Sequence, residues 1–319
     1  MSDISVVGAG AFGTALAISL ANDGRNVALY ARDARQVAAM NQHRENSKYL
    51  AGHKFPQTLR AVDSVGVADV TLLTVPTQKL RSLLRESKHF LDRQMLAVCC
   101  KGIEKETGLL PSQIVAEVLG EPSVAVLTGP GFAGEIAAGK PTALCIAAHG
   151  STTVDLQRVL STSNIRLYLS RDPIGAQLGG ALKNVVAIAC GIAMGAGLGE
   201  SARAALMTRG YNEMTRLAVA LGAEKETLSG LSGLGDLALT CTSVQSRNFS
   251  FGLDLGAQRA ATRTATIEGA ATARATADLA RRHGIEMPIA RAVADVLENT
   301  VTVKEAMQAL LARPLRSEI

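Results

Sequence analysis

ISVVGAGAFG, residues 4–13, is a short apolar run that leads directly into the pattern G-x-G-x-x-G. An Ala- and Leu-rich segment follows, and its composition predicts a helix over residues 12–23. In this strand–turn–helix context the motif is typical of a loop that binds the pyrophosphate of a dinucleotide, and a purely structural glycine turn is the alternative. Gly8 permits the tight turn, Gly10 lets the backbone approach the phosphates, and Gly13 allows close packing of the helix on the strand.

Further apolar runs alternate with amphipathic segments through the first half of the chain. The predicted strands are Ile4–Val7, Val27–Tyr30, Val70–Val75, Leu96–Cys100, Val124–Leu127, Ala143–Ala147 and Ile165–Leu169. Repetition of strand, helix and strand predicts parallel pairing, with helices on both faces of the sheet. Continuous apolar strands fit a sheet that is covered on both sides.

The pattern changes after about residue 172, where strand-like runs stop and Ala-rich segments begin. These segments predict helices over residues 174–195, 203–221, 270–283, 288–298 and 303–312, separated by glycine-rich joints such as GLSGLGD at 230–236, where we expect flexible glycines before Asp236. The fold class is therefore α/β, with a Rossmann-type, mostly parallel sheet followed by an all-helical C-terminal domain. We expect a dinucleotide-binding domain over residues 1–175 and a helical substrate and catalytic domain over residues 176–319.

Composition excludes several classes of protein. Of the 319 residues, 47% are apolar and 19% charged, which excludes a disordered chain. Only 3% are aromatic, which argues against base-stacking and a nucleic-acid partner. The net charge of +5 fits an anionic small-molecule ligand or simply a slightly basic soluble protein. Five histidines are scattered without an H-x-x-x-H pattern, so no metal site is predicted.

Two features bear on the cellular location. The five cysteines include no C-x-x-C pair and four lie in apolar surroundings, which fits a reducing compartment. The glycine loop starts at residue 8 and leaves no room for a signal peptide, so we expect a cytoplasmic protein. The apolar stretch 174–199 could suggest a membrane span, but it carries Lys183 near its middle, and we expect no span.

The end of the second strand predicts the cofactor type. An acidic residue there would bind the ribose 2′-hydroxyl, whereas this chain has Arg32, followed by Asp33. Arg32 could pair with a 2′-phosphate, and Asp33 could be the N-cap of the next helix. We therefore expect NADPH as cofactor, with NADH also possible.

Polar residues in small, apolar surroundings are the candidate substrate site. Lys101 and the G-P-G-F segment at 129–132 each follow a predicted strand, so they face the ligand crevice at the carboxyl edge of the sheet. Lys183 lies in the apolar helix segment GGALKNVVAIACG, where it needs an anionic partner, works as a base, or extends to water. Asp236 follows two glycines and could be a helix N-cap instead. Arg247 suits a phosphate but could be a surface charge.

The motifs together resemble one family from end to end. They are GAGAFGTA at 8–15, V-P at 75–76, K-G-I-E at 101–104, GPGFAGE at 129–135, QLGGALKNVVAIACG at 177–191, GLGDLALTC at 233–241, QSRN at 245–248 and IEG at 267–269. In this order they resemble the bacterial NAD(P)-dependent glycerol-3-phosphate dehydrogenase family. The resemblance implies reduction of dihydroxyacetone phosphate to sn-glycerol 3-phosphate for phospholipid synthesis, and a homodimer.

The resemblance also implies roles for individual residues. The implied catalytic residues are Lys183 (general acid/base), Lys101 and Asp236. The implied substrate contacts are Lys101, Gly129, Gly131, Lys183, Asp236, Ser246, Arg247 and Asn248. The implied cofactor contacts are Gly8, Gly10, Ala11, Phe12, Gly13, Arg32, Lys101, Ala133, Arg247 and Glu268. Two positions depart from the family pattern, because Gly131 and Ala11 each stand where a hydroxyl residue is common.

Two other functions stay open at this level. A related two-domain dehydrogenase could act on a hydroxy or keto acid, because Arg247 could hold a carboxylate as readily as a phosphate. A dinucleotide-sensing regulatory protein would lack the catalytic groups, yet Lys101, Lys183 and Asp236 are all present.

Overall fold

A computed structural model describes residues 4–92, 94–120, 124–150, 152–259 and 267–312 of the chain. Within these residues, eight strands form one sheet in the order β3-β2-β1-β4-β5-β6-β7-β8. The strands are β1 (Ile4–Val7), β2 (Val27–Tyr30), β3 (Leu59–Val62), β4 (Val70–Leu73), β5 (Met95–Val98), β6 (Val124–Thr128), β7 (Thr142–Ala147) and β8 (Ile165–Ser170). All neighbours pair in parallel except β6 and β7, so the predicted mostly parallel sheet is confirmed.

Two features of the sheet were not predicted. Strand β3 was missed because its buried leucine and alanine alternate with the exposed Arg60, so it is not a continuous apolar run. Parallel pairing was wrong for β6 and β7. Their connection holds only a five-residue helix, Ala133–Ala137, and a parallel pair needs a crossover long enough to return the chain to the starting edge of the sheet.

Helices cover the sheet and build the second half of the chain. They are α1 (Ala11–Asn22), α2 (Ala34–His43), α3 (Thr77–Leu91), α4 (Pro111–Leu119), α5 (Ala133–Ala137), α6 (Thr152–Leu160), α7 (Pro173–Gly195), α8 (Gly199–Ala220), α9 (Lys225–Ser229), α10 (Asp236–Cys241), α11 (Arg247–Gly256), α12 (Glu268–Arg282), α13 (Pro288–Leu297) and α14 (Val303–Leu311), with a π-helical turn over Leu231–Gly235. The five predicted C-terminal helices match α7, α8, α12, α13 and α14 within a few residues. The short helices α9, α10 and α11 were not predicted individually.

Helix α7 is the central element of the helical half. It is long and apolar enough to cross a membrane by length and composition, but 83% of its most apolar window is buried within the protein. Helices α8, α10, α11 and α12 pack around it. Its apolar surface is therefore covered by other helices of the same chain.

Paired glycines bring α7 and α11 into backbone contact. A Cβ atom at Gly191 would lie 2.1 Å from the Phe249 carbonyl oxygen, and one at Gly252 would lie 2.2 Å from the Ile188 carbonyl oxygen. Gly195 and Gly256 repeat this arrangement one turn further along. A Cβ atom at Gly195 would lie 2.1 Å from the Leu253 carbonyl oxygen, and one at Gly256 would lie 2.1 Å from the Ile192 carbonyl oxygen. These positions form two facing G-x-x-x-G patterns, which require glycine because no side chain fits between the helices.

The two halves of the chain share their packing. Ile103 and Leu110, which follow the central strand β5, are buried in the core of the helical half. Gln177 of α7 accepts a hydrogen bond from the Ser112 backbone N–H at 2.8 Å and donates to the Ser112 hydroxyl at 2.8 Å. The last strand ends at Ser170 and α7 begins at Pro173. All five cysteines are free and buried, as expected for small apolar residues.

Candidate active site

Four loops meet at one edge of the sheet, as the parallel order requires. The glycine loop follows β1, Val75 and Pro76 follow β4, Lys101 follows β5 and Gly129 follows β6. Because parallel strands end at the same edge, residues far apart in sequence lie in one crevice. Helices α7 and α10 of the C-terminal half approach this edge, since Lys101 forms an ion pair with Asp236.

The glycine loop has the shape that a dinucleotide needs. Gly8 adopts a φ of 123°, a conformation that favours glycine, and Gly10 is the N-cap of α1. A Cβ atom at Gly13 would lie 2.2 Å from the Gly8 carbonyl oxygen and 2.4 Å from the Thr74 hydroxyl, so helix and strand are in close contact. Open space surrounds Gly10, which leaves the N–H groups at the start of α1 accessible to a phosphate.

The end of β2 presents a cation beside a capped helix. The Asp33 carboxylate caps α2 by accepting from the backbone N–H groups of Arg35 at 2.9 Å and Gln36 at 3.4 Å, which confirms the N-cap prediction. Arg32 is exposed directly before it. The carboxylate is thus engaged by the helix backbone, whereas Arg32 is exposed to solvent.

Three charged side chains form the centre of the crevice. Asp236, which is 1% exposed, accepts from Lys101 Nζ at 2.6 Å on Oδ2 and from Lys183 Nζ at 2.8 Å on Oδ1. Lys183 also donates to the Thr240 hydroxyl at 2.6 Å, and Lys101 donates to the Gly129 carbonyl oxygen at 3.1 Å. Each ammonium group has three donors, so each lysine keeps one N–H for a ligand.

Burial and charge set the protonation behaviour of this cluster. Burial lowers the pKa of Lys183, the neighbouring Lys101 lowers it further, and the attraction of Asp236 opposes both. Burial alone would raise the pKa of Asp236, but the two ammonium groups hold it below its usual range. Lys183 is 7% exposed and paired, so it does not extend to water. The cluster therefore keeps a lysine of lowered pKa beside a carboxylate that stays ionised.

The segment before Asp236 packs closely against its neighbours at Gly233. A Cβ atom at Gly233 would lie 1.9 Å from the Leu228 carbonyl oxygen, and one at Gly179 of α7 would lie 2.5 Å from the Ser232 carbonyl oxygen. The expected flexible joint is thus a π-helical turn in which Gly233 is needed for close contact, whereas a Cβ atom at Gly235 would lie 3.6 Å from its nearest neighbour. Asp236 is the first residue of α10 and its carboxylate binds lysines, so it is not an N-cap.

The start of α11 brings further predicted residues to the same edge. Ser246 caps α11 by accepting from the Phe249 backbone N–H at 3.2 Å. Asn248 donates to the Asn184 side-chain oxygen at 2.9 Å and accepts from the Gly269 backbone N–H at 2.9 Å. The amide of Asn248 thus joins α7, α11 and α12.

Two residues of opposite charge flank this junction. Arg247 is exposed, which the surface-charge alternative also predicts. Its positive charge acts to lower the pKa of Glu268. Burial raises the pKa of Glu268, against the attraction of Arg247, Lys101 and Lys183. The charges of Arg247 and of the two lysines thus act on the same carboxyl group.

The remaining predicted residues lie at the starts of α1 and α5 and in the loop after β6. Ala11 and Phe12 begin α1, and the Phe12 ring centroid lies 5.9 Å from Lys101 Nζ. Ala133 begins α5. A Cβ atom at Gly131 would lie 3.0 Å from Ile136 Cδ1, so glycine here removes a hydroxyl and relieves a close contact.

Sequence reasoning missed Thr240, which accepts from the Lys183 ammonium group. Thr240 lies four residues after Asp236, so the two share one helix face. That spacing is a signal that could have identified it. Within the described residues, no group of three or more His, Cys, Asp or Glu side chains is arranged to hold a metal ion.

Two family models cover almost the whole chain. The N-terminal model of NAD-dependent glycerol-3-phosphate dehydrogenase matches residues 3–154, and the C-terminal model matches residues 172–308. The chain belongs to the NAD-dependent glycerol-3-phosphate dehydrogenase family. Membership confirms the resemblance, the α/β fold and the prediction of an NAD(P)-dependent oxidoreductase.

Close relatives carry the family name. The chain is 52% identical to glycerol-3-phosphate dehydrogenase [NAD(P)+] of Roseobacter denitrificans, covering 99% of both chains. The Cereibacter sphaeroides enzyme of the same name is 51% identical, covering 99% of this chain and 100% of the relative. The crystal structure of glycerol-3-phosphate dehydrogenase from Coxiella burnetii superposes with a TM-score of 0.93 at 38% identity, covering 98% and 99% of the two chains. A D-mandelate dehydrogenase, 13% identical with a TM-score of 0.66, shares the fold alone.

Proposed function

We propose that this protein reduces dihydroxyacetone phosphate to sn-glycerol 3-phosphate and catalyses the reverse oxidation. The observation that carries the proposal is the Lys101–Asp236–Lys183 cluster at the carboxyl edge of the sheet, beside the glycine loop. Membership in the family and relatives about half identical over the whole chain support the same substrate pair. When bound, the nicotinamide cofactor supplies the hydride for the C2 carbonyl.

Lys183 is the proposed proton donor in the reductive direction. Its third N–H is the one not engaged by Asp236 or Thr240, and it is directed at the C2 oxygen of the substrate. Lys101 adds a fixed positive charge next to the same oxygen, where negative charge develops during reduction. Because burial lowers its pKa, Lys183 gives up a proton to the substrate more readily than an exposed lysine does, and in the oxidative direction a larger fraction of it is neutral and able to accept the proton.

The phosphate end of the substrate is assigned to the start of α11. Arg247 offers a planar guanidinium whose parallel N–H groups match phosphate oxygens. Ser246 and Asn248 lie on either side of it, and the helix start adds backbone N–H groups. Gly129 and Gly131 contribute backbone groups on the opposite side. This anchoring holds the carbonyl next to Lys183, which supplies part of the orientation effect.

The residues present fit a dinucleotide cofactor. Open space at Gly10, the start of α1 and the exposed Arg32 provide a pyrophosphate site and a cation for a 2′-phosphate. We propose NADPH as the cofactor, with NADH also accepted. Ala11, Phe12, Ala133 and Glu268 are assigned to the cofactor on the family resemblance. We further propose a cytoplasmic homodimer that serves phospholipid synthesis, divided into domains near residue 175.

The test is the consumption of NADPH by the purified protein with dihydroxyacetone phosphate, repeated with NADH and with a panel of keto acids. Turnover of dihydroxyacetone phosphate at least tenfold above every keto acid is expected, since a dianionic phosphate suits Arg247. Preference for a keto acid would support the alternative dehydrogenase, and no turnover with any of them would contradict the proposal.

A further inference from the structure

The loop after β5 carries Lys101 and is held from two sides. Ile103 is fully buried in the core of the helical half. A Cβ atom at Gly102 would lie 2.9 Å from the Thr77 hydroxyl and 3.2 Å from the Thr272 hydroxyl, so the backbone lies tightly between α3 and α12. The direction in which Lys101 leaves the loop therefore depends on its neighbours in both halves of the chain.

Side chains of α3 hold the backbone and the end of this loop. Gln78 Nε2 donates to the Ile103 carbonyl oxygen at 2.8 Å, and Gln78 Oε1 accepts from the Lys105 backbone N–H at 3.1 Å. Arg81 donates two parallel bonds to the Glu104 carboxylate, Nε to Oε1 at 2.9 Å and Nη2 to Oε2 at 2.8 Å. The Arg81 and Glu104 side chains are only 15% and 9% exposed, so the pair is well shielded from water.

We propose that Gln78 and Arg81 are positioning residues for Lys101, holding the 101–105 loop so that its ammonium group reaches both Asp236 and the substrate. The inference rests on the proposed function, because it assigns the loop a role in that reaction. Neither side chain donates to Asp236 or Lys183, so both act through the loop.

The geometry of the Gln78 and Arg81 contacts explains how they hold the 101–105 loop in place. Gln78 satisfies one carbonyl oxygen and one N–H of the loop with a single amide, which fixes the backbone on both sides of Glu104. A bidentate guanidinium–carboxylate pair adds a fixed orientation as well as attraction. Loss of the contacts of either side chain lets the loop shift, and a displacement of about 1 Å at a catalytic group can reduce the rate by about 100-fold.

A displaced Lys101 also has a signature in the pH dependence. The charged and titratable groups that face Lys183 are Asp236 and Cys241 of α10, Glu268 of α12 and Lys101 itself. Lys101 is the like charge among them and lowers the pKa of Lys183. Its withdrawal therefore raises that pKa, and the loss of reductive activity at high pH moves to still higher pH.

The experiment compares Gln78→Met and Arg81→Met with the unmodified protein and with Glu117→Gln. Arg81 also contacts Glu117 of α4 at 2.9 Å, an exposed partner, so Glu117→Gln removes an ion pair of the same guanidinium without touching the loop. Both methionine variants are expected to lose about 10- to 100-fold in kcat, while KM for NADPH stays nearly unchanged. In both variants the fall of kcat/KM at high pH should occur at a higher pH than in the unmodified protein. Arg81→Lys should recover part of the rate.

Three outcomes would overturn the assignment: unchanged kcat and pH limb in a folded Gln78→Met protein, a rise in KM for NADPH with kcat intact, or an equal loss in Glu117→Gln. The first outcome tests the proposal even if Arg81→Met does not fold, because Gln78→Met leaves no buried charge unpaired. Absence of dihydroxyacetone phosphate reduction in the unmodified protein would instead contradict the proposed function.

Discussion

At the scale of single residues, the position of Lys183 is the strongest constraint on function. A lysine inside an apolar helix is unfavourable unless its charge is compensated. Here Asp236 compensates two lysines at once, and Thr240 takes a further donor. Such an arrangement stabilises the fold weakly at best, because desolvation of the charges offsets their attraction. The cluster is better explained by its chemistry, because it keeps a proton donor of lowered pKa at the ligand crevice.

Lys183→Met should remove the proton donor while keeping the length of the side chain. We expect kcat for dihydroxyacetone phosphate reduction to fall by about 100- to 10,000-fold, as for loss of a general acid. Affinity for NADPH, measured by fluorescence titration, should change little because the hydrogen bonds of Lys183 go to Asp236 and Thr240 and none goes to the glycine loop. Near-normal turnover would refute the role of Lys183.

Arg247→Ala should separate phosphate recognition from catalysis. Loss of a charge-assisted contact of about 1.5–3 kcal/mol predicts a rise in KM of roughly 10- to 100-fold for dihydroxyacetone phosphate. Unphosphorylated dihydroxyacetone should be affected far less. Arg259→Ala, at the far end of α11 where Arg259 pairs with Asp254 at 3.3 Å, is the matched control and should leave both values unchanged. Equal effects of Arg247→Ala on the two substrates would contradict the phosphate contact.

At the scale of elements, the facing glycines of α7 and α11 connect packing to function. They set the distance between the helix that carries Lys183 and the helix that begins with Arg247. Asn248 completes the junction by bonding to Asn184 of α7. The relative position of the proposed proton donor and phosphate anchor is therefore set largely by the glycines between the two helices.

Gly252→Ala tests this junction. Its Cβ atom would lie 2.2 Å from the Ile188 carbonyl oxygen, and forcing the helices apart should reduce the free energy of unfolding by about 1–3 kcal/mol. KM for dihydroxyacetone phosphate should rise in the same variant. Gly66→Ala, where the added Cβ would meet open space, is the control for a glycine replacement. Unchanged stability in denaturant unfolding of Gly252→Ala would show that the helices are not in the contact described.

At the scale of the whole molecule, the charge cluster joins the two halves of the chain. Lys101 belongs to the sheet, whereas Asp236 and Lys183 belong to the helical half. The folded protein holds the pKa of Asp236 below its ordinary value of 3.8. Its contribution to stability is thus present above pH 3.8 and is lost as the pH falls through the lower, folded-state value.

Asp236→Asn should change this pH dependence. At neutral pH the buried Lys183 and the half-buried Lys101 would lose their anionic partner, which predicts a loss of about 3–5 kcal/mol in the free energy of unfolding. Below pH 3.8 the unmodified protein progressively loses the same carboxylate, so the difference between the two proteins should shrink. Denaturant unfolding across this range provides the measurement. A difference that stays constant with pH would contradict the role of Asp236 as an ionised partner.

Periodicity and local motifs predicted much of this protein. The glycine loop, the buried strands of the sheet and the long Ala-rich helices follow from local patterns, because each depends on residues close together in the chain. The same dependence on local patterns explains why β3 was missed and why the pairing of β7 was predicted wrongly. The alternating strand β3 and the antiparallel β7 depend on where the chain turns and on neighbouring strands, which local patterns do not specify.

The site shows the same division. Residue chemistry nominated Lys101, Lys183, Asp236 and Arg247 as candidates, the last three each with a plain structural alternative. Only the folded chain decided that one carboxylate bonds both lysines, that Thr240 accepts from Lys183 and that Gly233 is tightly packed. These are contacts between residues up to 135 positions apart, and their distances arise from how helices pack on the sheet rather than from any one segment.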